Sequence, residues 1–456
     1  MLELQPQTLI VFLSDCHIGG DPGCDGFESP EEVQALFEEL RAREGPVELI
    51  LAGDFFDFLQ IGTVPQGMNR ASLTMSRPEY RPLFSALRRF KATEGKRVVY
   101  LPGNHDAEGW WNPEIQETLQ EEGLVDEFPY HYCASIPVRE GRRVIYCEHG
   151  NQLDAANVVA DYHNPLDTPL GHHVVMDFTR RIAPLGKVTG GLDLAELKMV
   201  YPLVAIPRWI VSRYFYDFVG KTIGYLLVPL LVLNGIYRVI LYVRALAPEG
   251  IARERVGRRR KLLGLRTLLI DLGAFGAANI AGFAIFFLVI KRAVHKALST
   301  MNPEGTGSYS GDEDRPEGIK RMLTGSKGPP MDPSIDPAEI DVFVSGHTHQ
   351  PSLSEMERPD GRPTVVVNSG CFLRQLHPIS PHLKGPPVFV SKFVLTHVRI
   401  FLHGSKLRVE LWEHPKPATS SLTRTESLAA WGRMPDQPAP DAKPGVIAAS
   451  EIATPD

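Results

Sequence analysis

Residues 9–20 read Leu-Ile-Val-Phe-Leu-Ser-Asp-Cys-His-Ile-Gly-Gly. The apolar run Leu9–Leu13 is followed at once by a polar turn carrying Asp15 and His17. A short apolar run, bounded by turn residues and rich in β-branched and aromatic types, reads as a buried strand. The same theme returns at 47–57 (VELILAGDFFD), 98–106 (VVYLPGNHD), 144–151 (VIYCEHGN) and 341–349 (DVFVSGHTH). Further strands are expected at 364–367, 392–402 and 407–412, the last two as a hairpin. Helical stretches fall between the early strands. Ser29, Pro30 and Glu32 supply a capping Ser, Pro at N1 and Glu at N3, and Val33, Leu36, Phe37 and Leu40 follow at helical spacing. Residues 81–90 place Leu83, Phe84, Leu87 and Phe90 on one face. Strands alternating with helices predict an α/β layered core.

Five polar clusters therefore sit at strand ends: Asp15 with His17, Asp54 with Asp57, Asn104 with His105 and Asp106, His149 with Asn151, and His347 with His349. Asp, His and Asn are donors for hard-to-borderline divalent cations. Loops at the carboxyl ends of strands can point such side chains into one crevice. A set of this size fits two cations, which in such sites lie about 3.5–4 Å apart and clamp the attacking and leaving oxygens of a phosphoryl displacement. A protonated His beside them would donate to the leaving alkoxide. One Asp after a strand is usually a cap, and one His usually structural; the weight lies in the set.

DxH, GDxxD, GNHD, an isolated His-Gly and GHTH, in this order, resemble the motifs of the calcineurin-like metallophosphoesterases over roughly 1–150 and 340–414. The resemblance implies a four-layer αββα sandwich, two mixed β-sheets flanked by helices. It implies that Asp15, His17 and His349 bind one cation, that Asp54 bridges, and that Asn104, His149 and His347 bind the second. Asn104 and His105 would contact the phosphate, His105 would protonate the leaving group, Asp106 would orient His105, and Asp57 would support from behind. Mn, Fe or Zn all suit this donor set. The substrate implied is a phosphomonoester, a phosphodiester or a pyrophosphate. Asn151 reads as a phosphate contact or a turn residue, and His163, His172 and His173 as surface or packing residues. Cys16 and Cys371 read as buried packing residues.

The 456 residues are 43% hydrophobic and 22% charged, ordinary globular proportions. A net charge of -6 excludes a globally basic nucleic-acid binder, and no nucleic-acid partner is expected. The five cysteines, Cys16, Cys24, Cys133, Cys147 and Cys371, have no CxxC spacing, which predicts neither a disulfide scaffold nor a zinc ribbon. Residues 1–15 show no basic n-region, and their apolar run falls short of an h-region of about 7–15 residues, so the catalytic part is expected in the cytoplasm.

Residues 151–301 interrupt the motif series as a helical insertion; 302–339 read as a flexible linker and 415–456 as a disordered tail. Within the insertion, 222–237 and 272–290 are 16 and 19 residues without a charge, and 199–219 reads as amphipathic. The loop 244–266 between the two apolar stretches carries Arg244, Arg253, Arg255, Arg258, Arg259, Arg260, Lys261 and Arg266 against Glu249 and Glu254, a local charge of +6. Such a run is expected to meet anionic lipid head groups. The positive-inside rule keeps this loop cytoplasmic, yet two full spans would then export both flanking parts. The expectation is a hairpin in one leaflet or on the cytoplasmic surface; the alternatives are a spanning hairpin and a soluble helical cap. A lipid-linked phosphate ester is the expected substrate. Family members that cleave UDP-diacylglucosamine also place helices over the metal site, but they carry GNRD where this chain has GNHD. Competing functions are a nuclease or soluble-nucleotide phosphodiesterase, and an inert membrane scaffold. The first would need a basic groove beside the cations, the second a broken ligand set.

Overall fold

A computed structural model describes residues 1–139, 141–188, 192–246, 265–267, 269–279, 281–282, 285, 292, 318–320, 323, 335–358, 361–382, 385–439 and 441–452. The strands are β1 (Leu2–Glu3), β2 (Leu9–Leu13), β3 (Val47–Ala52), β4 (Lys96–Leu101), β5 (Tyr132–Val138), β6 (Gly141–Cys147), β7 (Ile340–Ser345), β8 (Ser352–Glu357), β9 (Pro363–Asn368), β10 (Phe372–Ile379), β11 (Val388–His403), β12 (Lys406–Glu413) and β13 (Gly445–Ile452). They form two mixed sheets, one ordered β1-β5-β6-β7-β9-β8, the other β13-β12-β11-β2-β3-β4 with β10 on β11. Alternation along the strands divides the core. Ile10, Phe12, Ile50, Val99, Val342, Val344, Val398 and Ile400 fill one cluster to which both sheets contribute. Leu9, Val11, Leu13, Leu49 and Val98 face the other way, against α1 (Pro30–Ala42) and α2 (Arg81–Lys91). Ser29 stands at the N-cap of α1, but its hydroxyl makes no capping bond.

Register positions the site. β2, β3 and β4 run parallel with Leu13 opposite Leu51 and Ala52 opposite Leu101, so their carboxyl ends align. β6, β7 and β9 are also parallel, with Cys147 opposite Val344 and Ser345 opposite Asn368. Each polar cluster read from the sequence leaves one of these strand ends.

Several expectations need correction. The tail is not all disordered: Arg424–Ala429 is a helix with a Thr423/Glu426 capping box, and β13 pairs antiparallel with β12. Buried Ala430 and Ile452, and Glu426 bonded to Arg213 at 2.8 Å, anchor a segment poor in large apolar residues. The linker is also partly packed, since Ile319, Leu323 and Ile335 bury against Tyr146 and Phe343. Residues 302–317 and 324–334 lie outside the described residues.

In the insertion, residues from Ile206 to Arg244 form one helix, long and apolar enough by length and composition to cross a membrane. Its first part, Ile206–Lys221, packs Trp209, Phe215, Tyr216 and Val219 in clusters with Leu376, Phe389, Val388 and Val390 of β10 and β11. The opposite face is not the polar one that an amphipathic reading implies: it exposes Ile210, Tyr214 and Phe218. The second part, Val228–Leu246, exposes apolar side chains around most of its circumference. On the remaining side Arg238 pairs with Asp271, and its guanidinium sits 4.6 Å from the Phe275 ring centroid. Residues 247–264 of the basic loop and most of 280–290 lie outside the described residues.

Candidate metal centre

The loops after β2, β3, β6 and β7 interlock through their backbones. Asp15 N–H donates to Gly53 C=O at 3.0 Å, His17 N–H to Asp54 C=O at 2.9 Å, and Gly346 N–H to His149 C=O at 2.8 Å. Among the described residues, the non-glycine positions with positive φ are Asp15 (53°), His17 (52°), Asp54 (50°), His347 (69°) and His349 (58°). Side chains avoid this region. Strain of about 1–3 kcal/mol per residue persists where surroundings enforce it, typically at functional sites. All five are ligand positions read from the sequence. Glycine is required between them: a Cβ at Gly53 would strike the His149 ring, and one at Gly103 the Asp54 carboxylate.

Asp15, His17 and His349 form one trio, Asp54, His149 and His347 a second, and His17, Asp54 and His105 a third, each with ligand atoms within 4.8 Å of one another. His17 Nε2 lies 3.1 Å from His349 Nε2 and 3.8 Å from Asp54 Oδ2. His349 Nε2 is 3.3 Å from Asp15 Oδ1, and His149 Nε2 is 3.2 Å from Asp54 Oδ2. Asp54, a member of the second trio, therefore also lies against His17 of the first. Asp15 Oδ1, Asn104 Oδ1 and His149 Nε2 are buried without a hydrogen-bond partner. Buried polar atoms are rarely left so; these three lie in the ligand set, while others, Ser29 Oγ and Trp209 Nε1 among them, lie elsewhere. His149 Nδ1 donates to Ala52 C=O at 2.9 Å, which makes Nε2, facing Asp54, the ring nitrogen that would hold a cation on losing its proton. These residues fit divalent cations.

His105 sits beside the cluster. Its Nδ1 faces Asp57 Oδ1 at 2.9 Å. Burial opposes its charge, but the Asp57 and Asp54 carboxylates outweigh that and hold His105 up to about 9. His149 is held up to about 10 in the same way, against burial, by Asp54 and Asp15. Burial would raise Asp15, yet His149 and His349 bring it down to about 2. The pocket holds carboxylates that demand positive charge, from protons or from cations.

The expectation that Asp106 orients His105 is corrected. Asp106 Oδ2 accepts from Phe55 N–H at 2.9 Å, Phe56 N–H at 3.3 Å and Tyr100 Oη–H, and Oδ1 accepts from Gly103 N–H. The carboxylate points back into the turn and ties two loops together; Asp57 takes the role at His105. Asn151 is also a turn residue, donating to Asn157 C=O and Tyr162 Oη. His163 meets Tyr130, and exposed His173 meets Thr168 and Asp177. His172 lines a small cavity that reaches His105. Cys16 and Cys371 are buried. Sequence reasoning missed Asp154, whose Oδ2 lies 3.1 Å from His347 Nε2, and Asn157, whose Oδ1 accepts from Asn104 Nδ2 at 3.4 Å. The only signal was proximity: both follow His149 by fewer than ten residues.

A cavity of about 250 Å³ opens over the cluster. Asp54, Asn104, His105, His347 and His349 line its floor, and Val174, Val175, Met199, Val200 and Leu203 of the insertion line its wall, with Lys198 and Arg374. Residues 8–182 match the calcineurin-like phosphoesterase family. That span contains Asp15 through His149; His347 and His349 lie beyond it and are carried in by β7. No curated protein matches the chain.

Proposed function

Starting from that family match, we propose that the protein hydrolyses a phosphate ester with two divalent cations, and that its substrate is lipid-linked and met at the cytoplasmic membrane surface. The observation that carries the first part is the convergence of Asp15, His17, His349, Asp54, His149 and His347 in two trios, with the orphaned Asn104 Oδ1 beside them. Bound there, Mn, Fe or Zn would supply Lewis-acid polarisation of the phosphoryl group and a water nucleophile at neutral pH. Asn104 and His105 hold phosphoryl oxygens. Asp57 fixes His105 through Nδ1, so Nε2 is the atom that passes a proton to the leaving oxygen.

The membrane part rests on other observations. Val174 and Leu203 line the cavity yet are 47% and 62% exposed, so the rim is apolar. Leu170 and Phe178, one turn to either side of Val174, extend it, and the bare helix Val228–Leu246 adds a larger apolar surface. Soluble monomers rarely leave so much uncovered. Residues 151–301 hold 19 basic and 10 acidic side chains, a net +9 in a chain of -6. That asymmetry suits an anionic surface.

Hydrolysis of a nitrophenyl phosphate mono- or diester should appear on adding Mn²⁺, Fe²⁺ or Zn²⁺ and vanish with chelator. No turnover under any of the three removes the enzymatic reading. Cell fractionation tests the other half: recovery in membranes that resists carbonate supports an inserted hairpin. Recovery in the soluble fraction removes the membrane part and leaves the hydrolase.

A further inference from the structure

We propose that Asp154 is a positioning residue that sets the His347 ring for cation binding, and that the first turn of the insertion thereby helps to build the second cation site. The proposal rests on the two-cation reading above. The two oxygens of Asp154 do different work. Oδ1 accepts from Ala156 N–H at 2.9 Å, which closes a local turn. Oδ2 also accepts from Asn157 Nδ2 at 2.7 Å within that turn, but reaches beyond it to lie 3.1 Å from His347 Nε2. A carboxylate can only accept, so Nε2 of His347 carries the hydrogen and the lone pair is left on Nδ1. Partners of this kind, on the ring nitrogen away from the metal, fix both tautomer and orientation.

Asn157 extends the arrangement. With Nδ2 on Asp154, its Oδ1 accepts from Asn104 Nδ2 at 3.4 Å. Asn104 Oδ1 is then the atom left buried and unpartnered. Residues 154–157 thus aim two ligands that come from loops after β4 and β7, more than 200 residues apart in the chain. Gly171 N–H donates to Ala156 C=O at 2.8 Å, so the insertion buttresses the same turn. A residue that merely capped this turn would need Ala156 and Asn157 as partners, not His347.

Asp154→Asn is the informative variant. It keeps the volume and can keep the turn through its carbonyl oxygen, but it presents an amide NH₂ to His347. The ring must then accept at Nε2 and carry its hydrogen on Nδ1. Calorimetric titration with Mn²⁺ should show two equivalents bound by the wild type. In the variant the second should weaken by about 10- to 100-fold while the first is kept. Circular dichroism with chelator present should show the variant folded. Nitrogen-15 NMR of the wild-type ring needs no variant: with Zn²⁺ bound, His347 should carry its hydrogen on Nε2. Two equivalents of unchanged affinity in folded Asp154→Asn, or a wild-type ring protonated on Nδ1, overturns the positioning role and leaves the two-cation reading intact. A wild type that takes up fewer than two equivalents overturns the two-cation reading, and this proposal with it.

Discussion

His105 and Asp106 are adjacent in the chain, yet their side chains serve different partners. His105 Nδ1 meets Asp57, and Asp106 holds the backbone of the loops after β3 and β4. Their variants should therefore fail differently. His105→Ala should lower turnover by about 10²- to 10⁴-fold while metal content, measured by elemental analysis, stays at the wild-type level. Asp106→Ala should instead lose about 3 kcal/mol of stability, because four donors lose a buried acceptor; denaturant melts with chelator present would show it. An Asp106→Ala protein of wild-type stability would contradict that assignment. The motif GNHD was legible in the sequence, but the division of labour within it was not. Which carboxylate reaches the imidazole depends on how the turn folds back, and Asp57 arrives from another loop. Asp154 was illegible for the same reason: an Asp in a turn looks like a cap until His347, nearly 200 residues later, is laid beside it.

At the scale of elements, β2, β3, β4, β6 and β7 could be read directly, because each pairs an apolar run with a polar end. β13 could not. Half of its residues are Gly, Ala or Ser, and its stability comes from pairing with β12, a partner no local pattern announces. The helix that begins at Ile206 was half legible: the apolar stretch 222–237 was evident, but its continuity with 206–221 and the docking of that first part on β10 and β11 were not. Two substitutions on its bare part, Leu233→Glu with Ile236→Glu, should shift the protein from the membrane to the soluble fraction without changing turnover of a soluble nitrophenyl ester. Unchanged membrane recovery would argue that this surface is covered otherwise. β11 and the residue after β12 carry a pH-sensitive pair. Burial and the Arg399 guanidinium hold His414 from the usual 6.5 down to about 4. The same two causes depress His397, whose Nε2 accepts from Arg399 Nε at 2.8 Å. A folded-state value below the unfolded one means stability present above about pH 6.5 and lost as pH falls toward 4. For His414 the loss is roughly 3 kcal/mol over that window. Urea melts with chelator present should show a shallower acid decline for His414→Asn than for the wild type; parallel curves would refute the assignment.

The whole molecule is two sheets whose strand ends meet at one cluster of carboxylates and imidazoles. Asp15, Asp54 and Asn104 come from one sheet, His149, His347 and His349 from loops of the other. Cations held there would cross-link the sheets, and a ligand at 100 times its Kd adds about 2.7 kcal/mol to stability. Chelation should accordingly lower Tm by several degrees and restored Mn²⁺ should return it. The charge division, +9 in residues 151–301 against a negative remainder, belongs to this scale too, as the electrostatic half of the membrane proposal. The most direct test of the account is anomalous diffraction from crystals grown with Mn²⁺. It predicts two peaks sharing Asp54, one within reach of Asp15, His17 and His349, the other of Asn104, His149 and His347. A single peak, or none at these residues, would contradict it.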